Sequence, residues 1–233
     1  MFNSTDEARK TLNMLRHDFE LSNERLDSDI LEMLIELQKI FDIVDEVEPG
    51  HHLLSADEIS DIGEKGCLLI ENLVSYLLSQ ELEPEKCDVE QFTLIIAQWV
   101  IKNNGLLRNI HTIVDGLAYL ANAIQDKESL TQLAMYMGQV ANACSAVIKH
   151  DLENSDPLRP WRLLNINRGI IATRSHDLIL MRKVFSEICE AIPLDAPDFF
   201  AEGMSEMVSL GYPEPVRELM NEYYEKTTMP SVH

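Results

Sequence analysis

The sequence predicts an all-α protein built of antiparallel helix hairpins. Three observations predict it. Glycine and proline number only 9 each in 233 residues, too little turn chemistry for a fold of many short strands. Apolar residues recur at three- and four-residue steps through long stretches, the period of an amphipathic helix. No run reads convincingly as a strand, and apolar runs such as LLIENLV have helical lengths and flanks.

Taken in order, residues 1–22 are polar with a thin stripe of Leu12, Leu15 and Phe19, a marginal helix. A stronger helix is expected over 28–47, with Ile30, Leu34, Leu37, Phe41, Val44 and Val47 on one face and Pro49-Gly50 ending it. SADE at 55–58 has the form of a capping box, Ser55 at the cap and Glu58 three residues on. The helix it opens runs to about residue 80 and turns Ile59, Ile62, Leu69, Leu73 and Leu77 inward. The next helix follows EPEKCD and stops at Asn103-Asn104-Gly105, a left-handed C-cap. Helices over 106–124 and 127–150 come next, the second rich in small residues that admit a close neighbour, among them Ala134, Gly138 and Ala141. ENSDPLRP (153–160) is the best linker, separating an acidic helical bundle over 1–152 from C-terminal helices over 153–233, unless the two pack as one continuous domain. Shorter helices are expected at 160–174, 176–191, 196–210 and 213–226, giving about nine in all.

Charge narrows the function classes. Forty acids against 19 bases give a formal charge of −21. That balance argues against nucleic acid as a partner, because phosphate binding needs a broad cationic face, and against anionic membrane surfaces. The longest apolar-rich run, FTLIIAQWVI, is far short of a membrane span, and the first twenty residues carry charge throughout, unlike a signal peptide. Cys67, Cys87, Cys144 and Cys189 are scattered, the pattern of reduced thiols in a cytoplasmic protein rather than of a disulfide framework or zinc ribbon.

The C-terminal part carries a period. Gly169 and Gly203 stand 34 residues apart, and the same shift aligns Asn165 with Phe199 and Phe185 with Leu219; Pro193 and Pro197 lie between the two units. Over about 65 residues this resembles the tetratricopeptide repeat, a helix-turn-helix unit of that period. Gly169 and Gly203 match the small residue of the first helix, Phe185 and Leu219 the apolar residue of the second, and Pro193 the closing proline. Arg168 departs from the usual leucine, and Met181 and Pro215 from the packing alanine. The resemblance implies a bundle passing into a short tetratricopeptide-like solenoid. It also implies a protein-binding scaffold whose concave face holds an extended peptide.

Catalytic signatures are weak. Glu48-Pro-Gly-His51 has the spacing of a helical metal motif, but Pro49 and Gly50 break the helix that would give it one face, so His51 and His52 read as a polar loop. His111, His150, Asp151 and Asp177 mimic the order of ligands in all-helical metal phosphohydrolases of the HD type, which makes such an enzyme the alternative of a different class. Helix ends give His150 and Asp177 ordinary structural reasons to exist. No nucleophile elbow and no glycine-rich phosphate loop occurs; DIGEKG (61–66) falls inside a helix, where glycines permit close packing. Trp99 and Trp161 read as core anchors, the ten methionines as gap fillers, and no cofactor is implied.

Six cations, Arg159, Arg162, Arg168, Arg174, Arg182 and Lys183, crowd into residues 159–183 with one acid, Asp177. Trp161, Asn165, Arg168 and Ala172 share a helical face, with Arg162 three residues from Asn165. Arg162, Asn165, Arg168 and Arg174 are therefore the candidate partner-binding residues, able to hydrogen-bond a peptide backbone or a carboxylate. Arg174 is expected to face Asp177 locally. Alternatively, the cluster pairs with acids of the same chain. The leading expectation is a non-enzymatic cytoplasmic adaptor or regulator binding a protein or acidic peptide; a third reading is a homodimer joined through Ala134, Gly138 and Ala141.

Overall fold

The computed structural model describes residues 4–21, 28–47, 54–152 and 154–228, with backbone alone at 18–21, 28 and 83–87. Among the described residues the fold is all-α: eleven helices, no strand, and one isolated bridge between Leu107 and Cys144. The helices are α1 (Thr5–Leu21), α2 (Ser28–Glu46), α3 (Ala56–Ser79), α4 (Glu83–Lys102), α5 (His111–Ala123), α6 (Lys127–Ala143), α7 (Ala146–Lys149), α8 (Pro160–Ser175), α9 (Leu178–Ala191), α10 (Ala196–Ser209) and α11 (Glu214–Thr228). They cluster into two units: Met1–Leu120 with Asn142–Ser145, and Ala121–Ala141 with Ala146–His233.

The first unit holds α1 to α4 and most of α5; α1 packs on α2 and α4, α2 on α3, and α3 on α4. Its core holds Leu12, Leu34, Leu37, Phe41, Ile59, Ile70, Leu73, Leu77, Phe92 and Ile96, and Phe41 meets Phe92 edge-on at 6.0 Å. Ser55 and Glu58 form the expected capping box on α3. The inward face of α3 differs from the expected one. Gly63 and Gly66 lie at its centre against Val100, Ile96 and Ile40, whereas Ile62 and Leu69 are only half-buried. A glycine adds nothing to an apolar stripe, so the stripe misplaced the face by a fraction of a turn.

At the end of α4, Asn104 is the left-handed residue, with φ 60. Its N–H donates to Ile101 and that of Gly105 to Val100, at 3.2 and 2.9 Å, the paired bonds of a Schellman ending. Gly105 serves packing instead, because a Cβ there would stand 2.7 Å from the Ile59 methyl. The helix expected over 106–124 begins only at His111, since Leu107 exchanges two 2.8 Å backbone bonds with Ala143 and Ser145. The same bridge breaks the helix expected over 127–150 into α6 and α7.

The second unit comprises α6, α7 and two hairpins, α8 with α9 and α10 with α11, joined by packing of α9 on α11. Phe185, Phe199, Phe200 and Tyr223 form its aromatic core, with centroids 5.1–6.0 Å apart. Proline falls in the first turns of α8 and α10, where its missing N–H costs no helical bond. Between α8 and α9 the chain turns on His176, left-handed at φ 59, and Asp177 then caps α9 by accepting from the N–H groups of Ile179 and Leu180.

Candidate functional site

The arginine island is consumed inside the second unit. Arg159, 3 % exposed, donates to Asp151 at 2.6 Å, to Asp195, and to the Asp156 carbonyl at 2.9 Å. Bonding to Asp151 raises its pKa despite burial. Arg162 donates to the other oxygen of Asp195 at 2.6 Å and to the Pro157 carbonyl at 3.1 Å. One carboxylate thus ties two guanidiniums to the start of α10.

The remaining candidates are engaged as well. Arg168 is 5 % exposed; its Nε donates to the Ala134 carbonyl at 3.0 Å and its Nη1 to Glu187. The guanidinium lies over Gly138, where a Cβ would come within 2.6 Å of Nη2. Asn165, 2 % exposed, donates to the Trp161 carbonyl of its own helix at 2.8 Å. Arg174 reaches not Asp177 but the Ala121 and Ile124 carbonyls, at 2.9 and 2.8 Å. These lie at the end of α5, whose last C=O groups lack helical partners and attract a cation. Arg182 makes a two-pronged, exposed pair with Glu222 at 2.7 and 3.0 Å, lowering the pKa of that carboxyl.

The expected trough lined by Arg162, Asn165, Arg168 and Arg174 is therefore occupied by the protein's own acceptors. Two further expectations change with it. Ala134, Gly138 and Ala141 are buried within the chain, with Arg168 over Gly138, and offer no free face for a second copy. Among the described residues no group of three or more His, Cys, Asp or Glu side chains is arranged to hold a metal ion. His111, His150, Asp151 and Asp177 accordingly form no ligand set: Asp151 is held by Arg159, and Asp177 caps α9. Glu48, His51 and His52 lie outside the described residues, as does the side chain of Cys87. Cys67, Cys144 and Cys189 form no disulfide; burial pushes Cys67 up to about 12, far from a reactive thiolate.

Beside the cluster lies an open groove. Ile166, Ile170, Thr173 and Arg174 of α8 line it on one side and Phe199, Glu202, Gly203 and Glu206 of α10 on the other, with Met207, Leu210, Tyr212 and Met220 completing it. It encloses about 270 Å³. Ile170 and Leu210 are 45 % and 65 % exposed, while Met207 and Met220 are buried beneath them. Gly203 makes room for Met220 of α11, since a Cβ there would meet its thioether at 2.8–2.9 Å. The His176 and Tyr212 rings sit 5.2 Å apart. Ile166 and Ile170 lie off the Trp161–Arg168 face, so the cation cluster does not point to this groove. The spacing of Phe199, Gly203, Met207 and Leu210 was the available signal.

No protein-family model matches the chain, and no curated protein or solved structure matches it significantly. Among the described residues no helix is long and apolar enough to cross a membrane.

Proposed function

We propose that this chain is a non-catalytic cytoplasmic adaptor or regulator that binds another protein through its C-terminal helix hairpins. The observation that supports it is the open apolar groove between α8 and α10, with large aliphatic side chains left in water at Ile170 and Leu210. A concave apolar surface open to solvent can seat the apolar side chains of a partner. The 34-residue period of Gly169 and Gly203 supports the same reading through the tetratricopeptide-like resemblance. Arg162, Arg168 and Arg174 act as positioning residues: each is committed to acceptors of its own chain, so the partner contact is apolar rather than a grip on acidic groups.

Quantitative affinity capture with wild-type and Ile170→Glu baits tests this. Ile170 is half in solvent, so the variant keeps the helical circular-dichroism spectrum. A defined set of proteins lost from the variant is the expected result; an identical set on both baits rejects the groove as the binding surface.

A further inference from the structure

Resting on that reading, we infer that the groove takes one helix of a partner protein, about three turns long, with a single apolar stripe and basic flanks. Length is the first reason. From Phe199 to Leu210 the α10 wall presents residues at three- and four-residue steps, a span of roughly 16 Å at 1.5 Å per residue. The space, about 270 Å³, has room for a few aliphatic side chains.

Backbone chemistry is the second reason. An extended segment must find partners for its own N–H and C=O groups, and this groove offers few: the exposed carboxylates of Glu202 and Glu206 accept but cannot donate. The polar groups of α8 at the groove are already used: Thr173 donates to the Gly169 carbonyl at 2.9 Å, and Arg174 to two carbonyls. Asn165, expected from its helical face to hydrogen-bond a peptide backbone, is buried and bonded to its own helix. A helix satisfies its own backbone and needs only an apolar groove, read at spacings of three, four and seven residues. The flexible thioethers of Met207 and Met220 let the floor adapt to different aliphatic side chains.

Charge is the third. Glu202 and Glu206 stand one turn apart on α10 at the groove, both exposed. Among the described residues neither is in an ion pair. The chain around them carries −21. Cations on the flanks of the incoming helix complement this surface, whereas a second copy of the same chain would bring another strongly negative surface.

The probe is a synthetic amphipathic helix of about 14 residues, leucines along one stripe and lysines beside it, titrated with the full chain by fluorescence anisotropy. Two control peptides are used, one of identical composition with the stripe scrambled and one with glutamates replacing the lysines. Ile170→Glu is expected to weaken binding by about tenfold or more. Generic attraction of a cationic peptide would instead strengthen, because the variant adds a negative charge. Glu202→Gln with Glu206→Gln is expected to weaken binding about threefold or more. Ile170→Ser, which adds no charge, guards against a folding defect and should lose affinity in the same direction. Scrambled and striped peptides binding equally, a glutamate-flanked peptide binding as tightly, an unchanged affinity in Ile170→Glu, or no binding of the striped peptide at about 100 µM would each overturn the inference. Were the peptide to fail while capture from cells still depended on Ile170, the occupant would be wrong and the adaptor reading would stand. Failure of both would remove both.

Discussion

A buried guanidinium is costly unless every donor is answered, and Arg168 shows how the answer is assembled: a carbonyl from α6, a carboxylate from α9, and a glycine beneath. Gly138→Ala is expected to destabilise the fold by about 1–3 kcal/mol, because the methyl displaces a pinned group. In an Arg168→Met background the penalty shrinks, and a double-mutant cycle read from urea melts should give a coupling of about 1 kcal/mol. Additive losses would show that Arg168 is not what Gly138 accommodates. His176 gives a pH signature. Burial, with the Lys127 charge, lowers its pKa below the ordinary 6.5, and its Nδ1 is buried with no hydrogen-bond partner among the described residues. The unfolded chain therefore protonates first as pH falls. The associated stability is complete above about 6.5 and is lost as pH drops through the lowered folded value. His176→Asn, which tolerates the left-handed backbone, should flatten the fall in Tm between pH 7 and 5 relative to wild type; an unaltered slope would remove His176 as its source.

Among the helices, the two glycines of the 34-residue period carry different loads. A Cβ on Gly169 would lie 2.5 Å from the Phe199 ring and 2.7 Å from Ile188, both in the packed core. At Gly203 it would meet only the flexible end of Met220. Gly169→Ala is therefore expected to cost about 1–3 kcal/mol. Gly203→Ala should fall near neutral, since the gain in helix propensity of up to about 1 kcal/mol offsets a small shift of the thioether. Thermal melts compare them, and equal costs would contradict this division. Elements whose signals are local were legible in the sequence: the Ser55–Glu58 capping box and the Asn104 ending of α4 both depend on residues within one turn. The breaks at Ala143 and before His111 were not. They arise from Leu107 pairing with Ala143 and Ser145, a contact between distant positions that neither segment announces.

For the molecule as a whole, the all-α class was readable because the helical period persists along the chain, whereas the fate of the arginine island was not. The partners of Arg168 lie 34 residues before it and 19 after it, and composition, which favours internal pairing, does not name the acceptors or exclude an open trough. The charge of −21 has its own global consequence. Like charges repel across the surface and salt screens them over about 10 Å at 0.1 M. Raising salt from about 20 to 300 mM should therefore lift Tm by a few degrees, and a lower Tm in salt would show that the local pairs outweigh the general repulsion. The seat that α6 gives to Arg168 also bears on how this chain can be cut. The segment ENSDPLRP, the linker expected from sequence, is a poor place for scissors. A fragment beginning there would leave behind Gly138, the Ala134 carbonyl and the carbonyls that receive Arg174. Two guanidiniums meant for the interior would be stranded, and a boundary near Ala121 is the one that keeps them housed.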